Sequence, residues 1–197
     1  MGYLKADARA EQLLTAAINV MQSEGYAAVT ARKIAQESGA AVGHINRHFT
    51  SLSQLKCQAF LAIVHEKAAI HKATGDRLSG VDAVLAYLGK CHTNTHEVEL
   101  WREVSVLAHQ DPALHEIFVY ALNLWHQLVV DVITRGIDEK HLRCHDTPSA
   151  TAWRLMALVL GQDSLEMHGL VDDDAERLHS NLRHSIRLEL QSDISIA

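Results

Sequence analysis

Only three cysteines, Cys57, Cys91 and Cys144, occur in this chain of 197 residues. Their odd number and wide spacing exclude a disulfide framework and point to a reducing compartment, the cytoplasm. Proline is scarcer still. Pro112 and Pro148 are the only two, each behind a capping residue, Asp111 and Thr147, so each fits the first position of a helix. No apolar run approaches the roughly 18 residues of a membrane helix. The opening MGYLKADARAEQ carries charge early and lacks the apolar core of a signal peptide. Ala6 stands where a myristoylation pattern needs a hydroxyl residue. Strand-like alternation, internal repeats and low-complexity tracts are all missing. So are a nucleophile elbow, a phosphate-binding loop and paired catalytic carboxylates, and the expectation is a protein without enzymatic chemistry or cofactor. What remains is 48% hydrophobic and 21% charged, the composition of a soluble globular protein. The length suffices for one large or two small domains sharing a substantial core.

The stretch around which the chain is organised is Thr30 to Phe49, TARKIAQESGAAVGHINRHF. Thr30 can cap a first helix through its side-chain oxygen. Ile34 and Ala35 lie one turn in, on the face that packs. Gly39 can take the left-handed conformation that ends a helix. Ile45 and Phe49, four apart, then share one buried face of a second short helix, which leaves Val42, Gly43, His44, Asn46, Arg47 and His48 outward. Two short helices joined this way form a helix-turn-helix, whose second helix enters the DNA major groove. A preceding helix from about Ala8 to Glu24, with Leu13, Leu14, Ala17, Ile18 and Met21 as its stripe, completes a three-helix unit.

These residues carry a resemblance. Glu24-Gly25-Tyr26, then Thr30-x-Arg32-x-Ile34-Ala35, Gly39, Gly43-His44-Ile45-x-x-His48-Phe49, Ser51 and Leu55 resemble the DNA-binding domain of the TetR family of bacterial transcription regulators. It covers about the first quarter of the chain. The resemblance implies an all-α protein with a helix-turn-helix DNA-binding domain at residues 1–50. A larger helical domain for effector binding and dimerisation follows at 51–197. It further implies a cytoplasmic homodimer, paired through its two C-terminal helices, that binds a double-stranded palindromic operator. A small molecule releases the DNA, as in a repressor.

Within that frame Thr30 and Arg32 are candidates for phosphate contacts, although Thr30 is equally suited to capping alone. Gly43 permits close backbone approach, and Val42 suits a thymine methyl. His44, Asn46 and Arg47 can reach base edges or phosphates, Arg to guanine and Asn to adenine being the best-matched pairings. His48 occupies a position where the family often has an aromatic or histidine on a phosphate. The departures matter too. Asn46 replaces a common tyrosine, Leu52 a common lysine, and His44 a small residue, so two usual phosphate anchors are missing and no operator sequence carries over. Lys56 is a candidate to restore part of the lost charge.

The net charge of −6 is unevenly spread. Residues 1–56 hold +2 and the remainder −8, so a mildly basic head sits on an acidic body. Helix 4 is expected from about Ser51, capped by Ser51 or Ser53, past Ile70. Further helices are expected over Val81–His96, Leu100–Ala108, from Pro112, from Pro148 to about His168, and from Asp172. Small residues Ala157, Gly161 and Ser164 lie among larger apolar ones on the helix from Pro148, which allows close helix approach. Trp101, Trp125 and Trp153, with His126 or His109 as a polar contact, are candidates for lining a ligand cavity, ordinary core packing being the alternative. Fourteen histidines raise a second function, a metal-responsive protein using Cys91, His92 and His96 or His141, Cys144 and His145. No CxxC or HExxH pattern supports it, and no metal ligand set is assigned.

Overall fold

A computed structural model of the chain describes residues 2–89, 95–170 and 175–190. Among these residues every regular element is helical. The helices are α1 (Gly2–Glu24), α2 (Ala31–Ser38), α3 (Ile45–His48), α4 (Leu52–Gly75), α5 (Gly80–Leu88) and α6 (Thr95–Leu107). They continue with α7 (Pro112–Asp138), α8 (Pro148–Met167) and α9 (Ala175–Leu190), and a 3-10 turn at Val42–His44 leads into α3.

Side-chain caps open α2, α4, α7 and α8. Thr30 Oγ1 accepts the Lys33 N–H at 3.3 Å. Ser51 Oγ accepts the Gln54 N–H at 3.0 Å, while Gln54 Oε1 reaches back to the Thr50 N–H at 2.8 Å, a reciprocal cap at the start of α4. Asp111 Oδ1 accepts from the Ala113 and Leu114 N–H groups, and Thr147 Oγ1 from the Ala150 N–H, so both prolines do open helices. Gly39 ends α2 at φ +64, a conformation that costs other residues about 1–2 kcal/mol.

Three expectations need correction. α1 starts at Gly2, earlier than the apolar stripe suggested. The helix expected over Val81–His96 is shorter where it is described: α5 ends at Leu88, where Gly89 donates to the Leu85 carbonyl, residues 90–94 lie outside the described residues, and Thr95 and His96 belong to α6. Glycine is the poorest helix former after proline, and the buried run Ala83–Leu88 is complete by that point. Finally, α7 does have the length and mean hydropathy of a membrane span, which counting uninterrupted apolar runs missed. Its Leu114, Ala121, Val129, Val132 and Ile133 are buried within the fold. The start expected for the last helix, at Asp172, and the pair Cys91 and His92 lie outside the described residues.

The chain divides into two compact units, Met1–Glu66 with Thr95–Ala121, and Lys67–Asn94 with Leu122–Ala197. The division falls inside α4 and α7. In the first unit α1 packs on α2, α3 and α6. Leu13, Ala17, Met21, Ile34, Ile45, Leu55 and Phe60 are buried there, each large side chain contributing about 1.5–3 kcal/mol. In the second, α5 packs on α8 and α9 around Val84, Leu88, Ile133, Leu155, Met156 and Ile186.

Candidate nucleic-acid interface

The helix-turn-helix is fixed from its apolar side. Ile34, Ile45 and Phe49 are all buried. Polar ties hold α2 to α1: Gln12 Nε2 donates to the Ser38 carbonyl at 2.6 Å, Asn19 Nδ2 to Glu37 Oε1 at 3.1 Å, and Lys33 pairs with Glu24. Within the turn, Ser38 Oγ donates to the Ile34 carbonyl at 2.6 Å and accepts the Ala40 N–H at 3.3 Å. Ala41 is extended, and the His44 N–H closes the 3-10 turn on its carbonyl at 2.9 Å. The second helix is therefore a short composite, a 3-10 turn followed by four α residues.

Its other side is open. Val42, Gly43, Asn46 and Arg47 are exposed, and His44 and His48 half-buried. Val42, at 49% exposure, is a large apolar side chain with no apolar burial to explain it. A Cβ on Gly43 would meet no protein atom within 4 Å, so packing inside the chain does not demand glycine there. The His44 and His48 rings stack with centroids 6.3 Å apart, and His44 Nδ1 is buried without a hydrogen-bond partner. Arg32 and Thr30 are exposed at the start of α2. Lys56 is differently occupied. Its ammonium lies 4.0 Å from the centre of the Tyr26 ring, drawn inward by a cation–π contact. Burial lowers its pKa, against the pull of Glu103, Cys57 and Asp111.

One group in this unit carried no signal in the sequence. Glu103, on α6, accepts the backbone N–H groups of Tyr26 and Ala27, 77 and 76 residues away. No local spacing announces such a contact.

The four residues suggested for a ligand cavity are divided between the units. Trp101 belongs to the first, packed edge-on against Phe60 and tilted against Phe118. Trp125, His126 and Trp153 belong to the second. Trp125 Nε1 donates to the Tyr87 carbonyl at 3.1 Å, beside the core. His126 and Trp153 stack in parallel, centroids 4.1 Å apart, and His126 Nε2 lies 3.1 Å from the Ser149 carbonyl. The histidine and cysteine clusters are occupied in other ways. His96 lies 3.4 Å from Glu99, His141 lies 3.3 Å from Glu139, and Cys144 Sγ lies 3.0 Å from Thr151 Oγ1. Among the described residues, no three His, Cys, Asp or Glu side chains are grouped to hold a metal.

Comparison with known proteins agrees with this geometry. Residues 13–55 match the model of the bacterial regulatory proteins, tetR family. Among solved structures, the TetR-family transcriptional regulator from Cytophaga hutchinsonii is similar at a TM-score of 0.77 and 17% identity, covering 94% of this chain and 96% of that one. A TetR transcription regulator from Haloarcula marismortui is similar at 0.74 and 16%, covering 94% and 100%. A Saccharomonospora viridis protein in complex with choline is similar at 0.73 and 21%, covering 93% and 97%. Among curated protein sequences none matches.

Proposed function

We propose that this chain, whose residues 13–55 match the model of the bacterial regulatory proteins, tetR family, is a homodimeric repressor that grips a palindromic operator and releases it on binding a small molecule. The observation that carries this reading is the exposed set Val42, Gly43, Asn46 and Arg47, with the half-buried His44 and His48 beside it, held up by the buried pair Ile45 and Phe49. An apolar anchor on one side and an open row of hydrogen-bonding and methyl-contacting groups on the other is what major-groove recognition requires. Thr30 and Arg32 would brace the phosphates at the start of α2.

The homodimer is supported by a second surface. On α8, Trp153, Ala157, Leu160, Ser164 and Met167 recur at spacings of four and three, and all five are exposed. Trp153, Leu160 and Met167 stand at 45%, 50% and 54% exposure, Trp153 with one face on the His126 ring, and together they form a heptad seam left open in the single chain. A second copy of the same helix would complete it with two-fold symmetry, and two reading heads would then match the two halves of a palindrome.

For the effector, the resemblance favours the helical body. Trp125 and His126, both of the second unit, remain residues proposed to meet it, and one structurally similar protein is in complex with choline. The ligand must bind the released arrangement more tightly than the DNA-bound one.

Selection of bound duplexes from random DNA tests the reading. A palindromic consensus is expected, with binding weakened and sequence preference relaxed in Arg47→Ala and His44→Ala. Unchanged affinity and preference in both variants would remove the assignment of the reading helix.

A further inference from the structure

A single carboxylate from a distant helix holds the turn that feeds the reading unit. α1 ends at Glu24, and Gly25 takes φ +91. The next two backbone N–H groups converge on Glu103: Tyr26 donates to Oε2 at 2.6 Å and Ala27 to Oε1 at 2.8 Å. Successive N–H groups beside a left-handed residue form a concave anion seat. Here an anion of the same chain fills it, with charge-assisted bonds. Gly25 serves the seat twice. Its φ suits glycine, and a Cβ there would lie 2.7 Å from Glu103 Oε2.

The surroundings make the seat a joint. Tyr26 is buried, its ring under Lys56 and its hydroxyl 3.9 Å from Cys57 Sγ, so α4 grips the same turn from another side. Ser53 of α4 donates to Asp111 Oδ2 at 3.1 Å, and Asp111 caps α7. None of these residues belongs to the outward set of 42–48.

We propose that Glu103 is a positioning residue for DNA binding: by clamping Tyr26 and Ala27 it fixes the three-helix head on α6, and so the direction in which the reading helix points. The proposal rests on the DNA-binding reading given above. Its physical basis is the geometry of a two-headed grip. Heads that meet half-sites about 34 Å apart must be held at a fixed angle. A loosened joint leaves each reading surface intact but lowers the effective concentration of the second head once the first has bound.

The experiment uses the full chain and two duplexes at equal salt, the selected palindrome and a duplex with one half-site. Glu103→Gln keeps one acceptor and loses the charge. It is expected to lose tenfold or more in affinity for the palindrome and less than twofold for the half-site, with Glu103→Ala losing more on the palindrome alone. Arg47→Ala should lose on both. Amide exchange at Tyr26 and Ala27 should quicken in Glu103→Gln while that at Ile45 and Leu55 stays unchanged. Equal losses on the two duplexes, an undiminished palindrome affinity, or unprotected Tyr26 and Ala27 amides in the wild type would each overturn the proposal. Should Glu103→Ala fail to fold, the glutamine variant and the wild-type exchange decide it. Failure of the DNA-binding reading would be seen separately, as a wild type that prefers no duplex.

Discussion

The ammonium of Lys56 lies 4.0 Å from the centre of the Tyr26 ring, whose hydroxyl lies 3.9 Å from Cys57 Sγ. Three titratable groups thus share one partly dry site, and burial is the first cause of shift in each. It raises the Tyr26 phenol and the Cys57 thiol and lowers the Lys56 ammonium. For the thiol and the phenol, the folded chain holds the proton more tightly than the unfolded one. The stability they contribute is complete below their ordinary values and lost as pH rises beyond them. Lys56 acts oppositely, its penalty fading as the pH nears the ordinary lysine value. The contribution of the thiol should therefore fall from about pH 8 upward, where unfolded cysteine begins to ionise. Urea midpoints at pH 8, 9 and 10 check it, and Cys57→Ala should show a shallower fall than the wild type between pH 8 and 10. Parallel curves for the two proteins would contradict it.

Thr30 serves as a helix cap whatever else it touches, since its Oγ1 accepts the Lys33 N–H. Thr30→Ala should cost about 1 kcal/mol of stability, and Thr30→Ser only a small part of that. If the hydroxyl also meets a phosphate, the alanine variant should bind DNA more weakly than the serine variant at every salt concentration with the slope of log affinity against log salt unchanged, because an uncharged hydroxyl releases no counterion. Denaturation and salt titration of the same two variants separate the roles.

The reading unit was legible in the sequence because its signals are local. Thr30, Gly39 and the pair Ile45 and Phe49 act over four residues or fewer, and each does what its chemistry suggests. The caps at Asp111 and Thr147 were legible for the same reason. The extent of α5 was not, because a glycine inside an apolar pattern can either sit in a helix or end it, and packing decides. Glu103 was invisible, because its partners are backbone groups far away in sequence and any acidic residue on a helix looks alike. The division of α4 and α7 between two compact units was equally hidden, since both helices have continuous helical patterns across it.

Gly75 ends α4 at a crowded point. A Cβ there would overlap the Tyr87 ring, which is itself 4% exposed. The Gly75 carbonyl accepts from Arg135 Nη2 at 2.8 Å, so the backbone is not free to withdraw. Gly75→Ala should cost about 1–3 kcal/mol, the usual range for overpacking. Gly161→Ala is the control: no atom lies within 4 Å of the added Cβ. Thermal unfolding of the two variants should move in opposite directions when measured at concentrations low enough to keep subunits apart.

The seam on α8 makes the last test. Leu160 lies at its centre, half-exposed, between Ala157 and Ser164 one turn either way. The helix itself is held from within, by Leu155, Met156 and Val159 in the core and by Arg154, which donates to Glu189 of α9 at 2.8 Å and to Asp146 at 3.0 Å. A charge at position 160 therefore leaves the single chain's packing alone and acts only where a second chain meets it. Burying an unpaired carboxylate twice across a two-fold axis is costly enough to separate the subunits. Leu160→Glu should sediment at half the mass of the wild type, keep its helical circular dichroism, and lose palindrome affinity while retaining weak half-site binding. A wild type that already sediments as a single chain, or a variant that stays paired, would show that this face closes on something else.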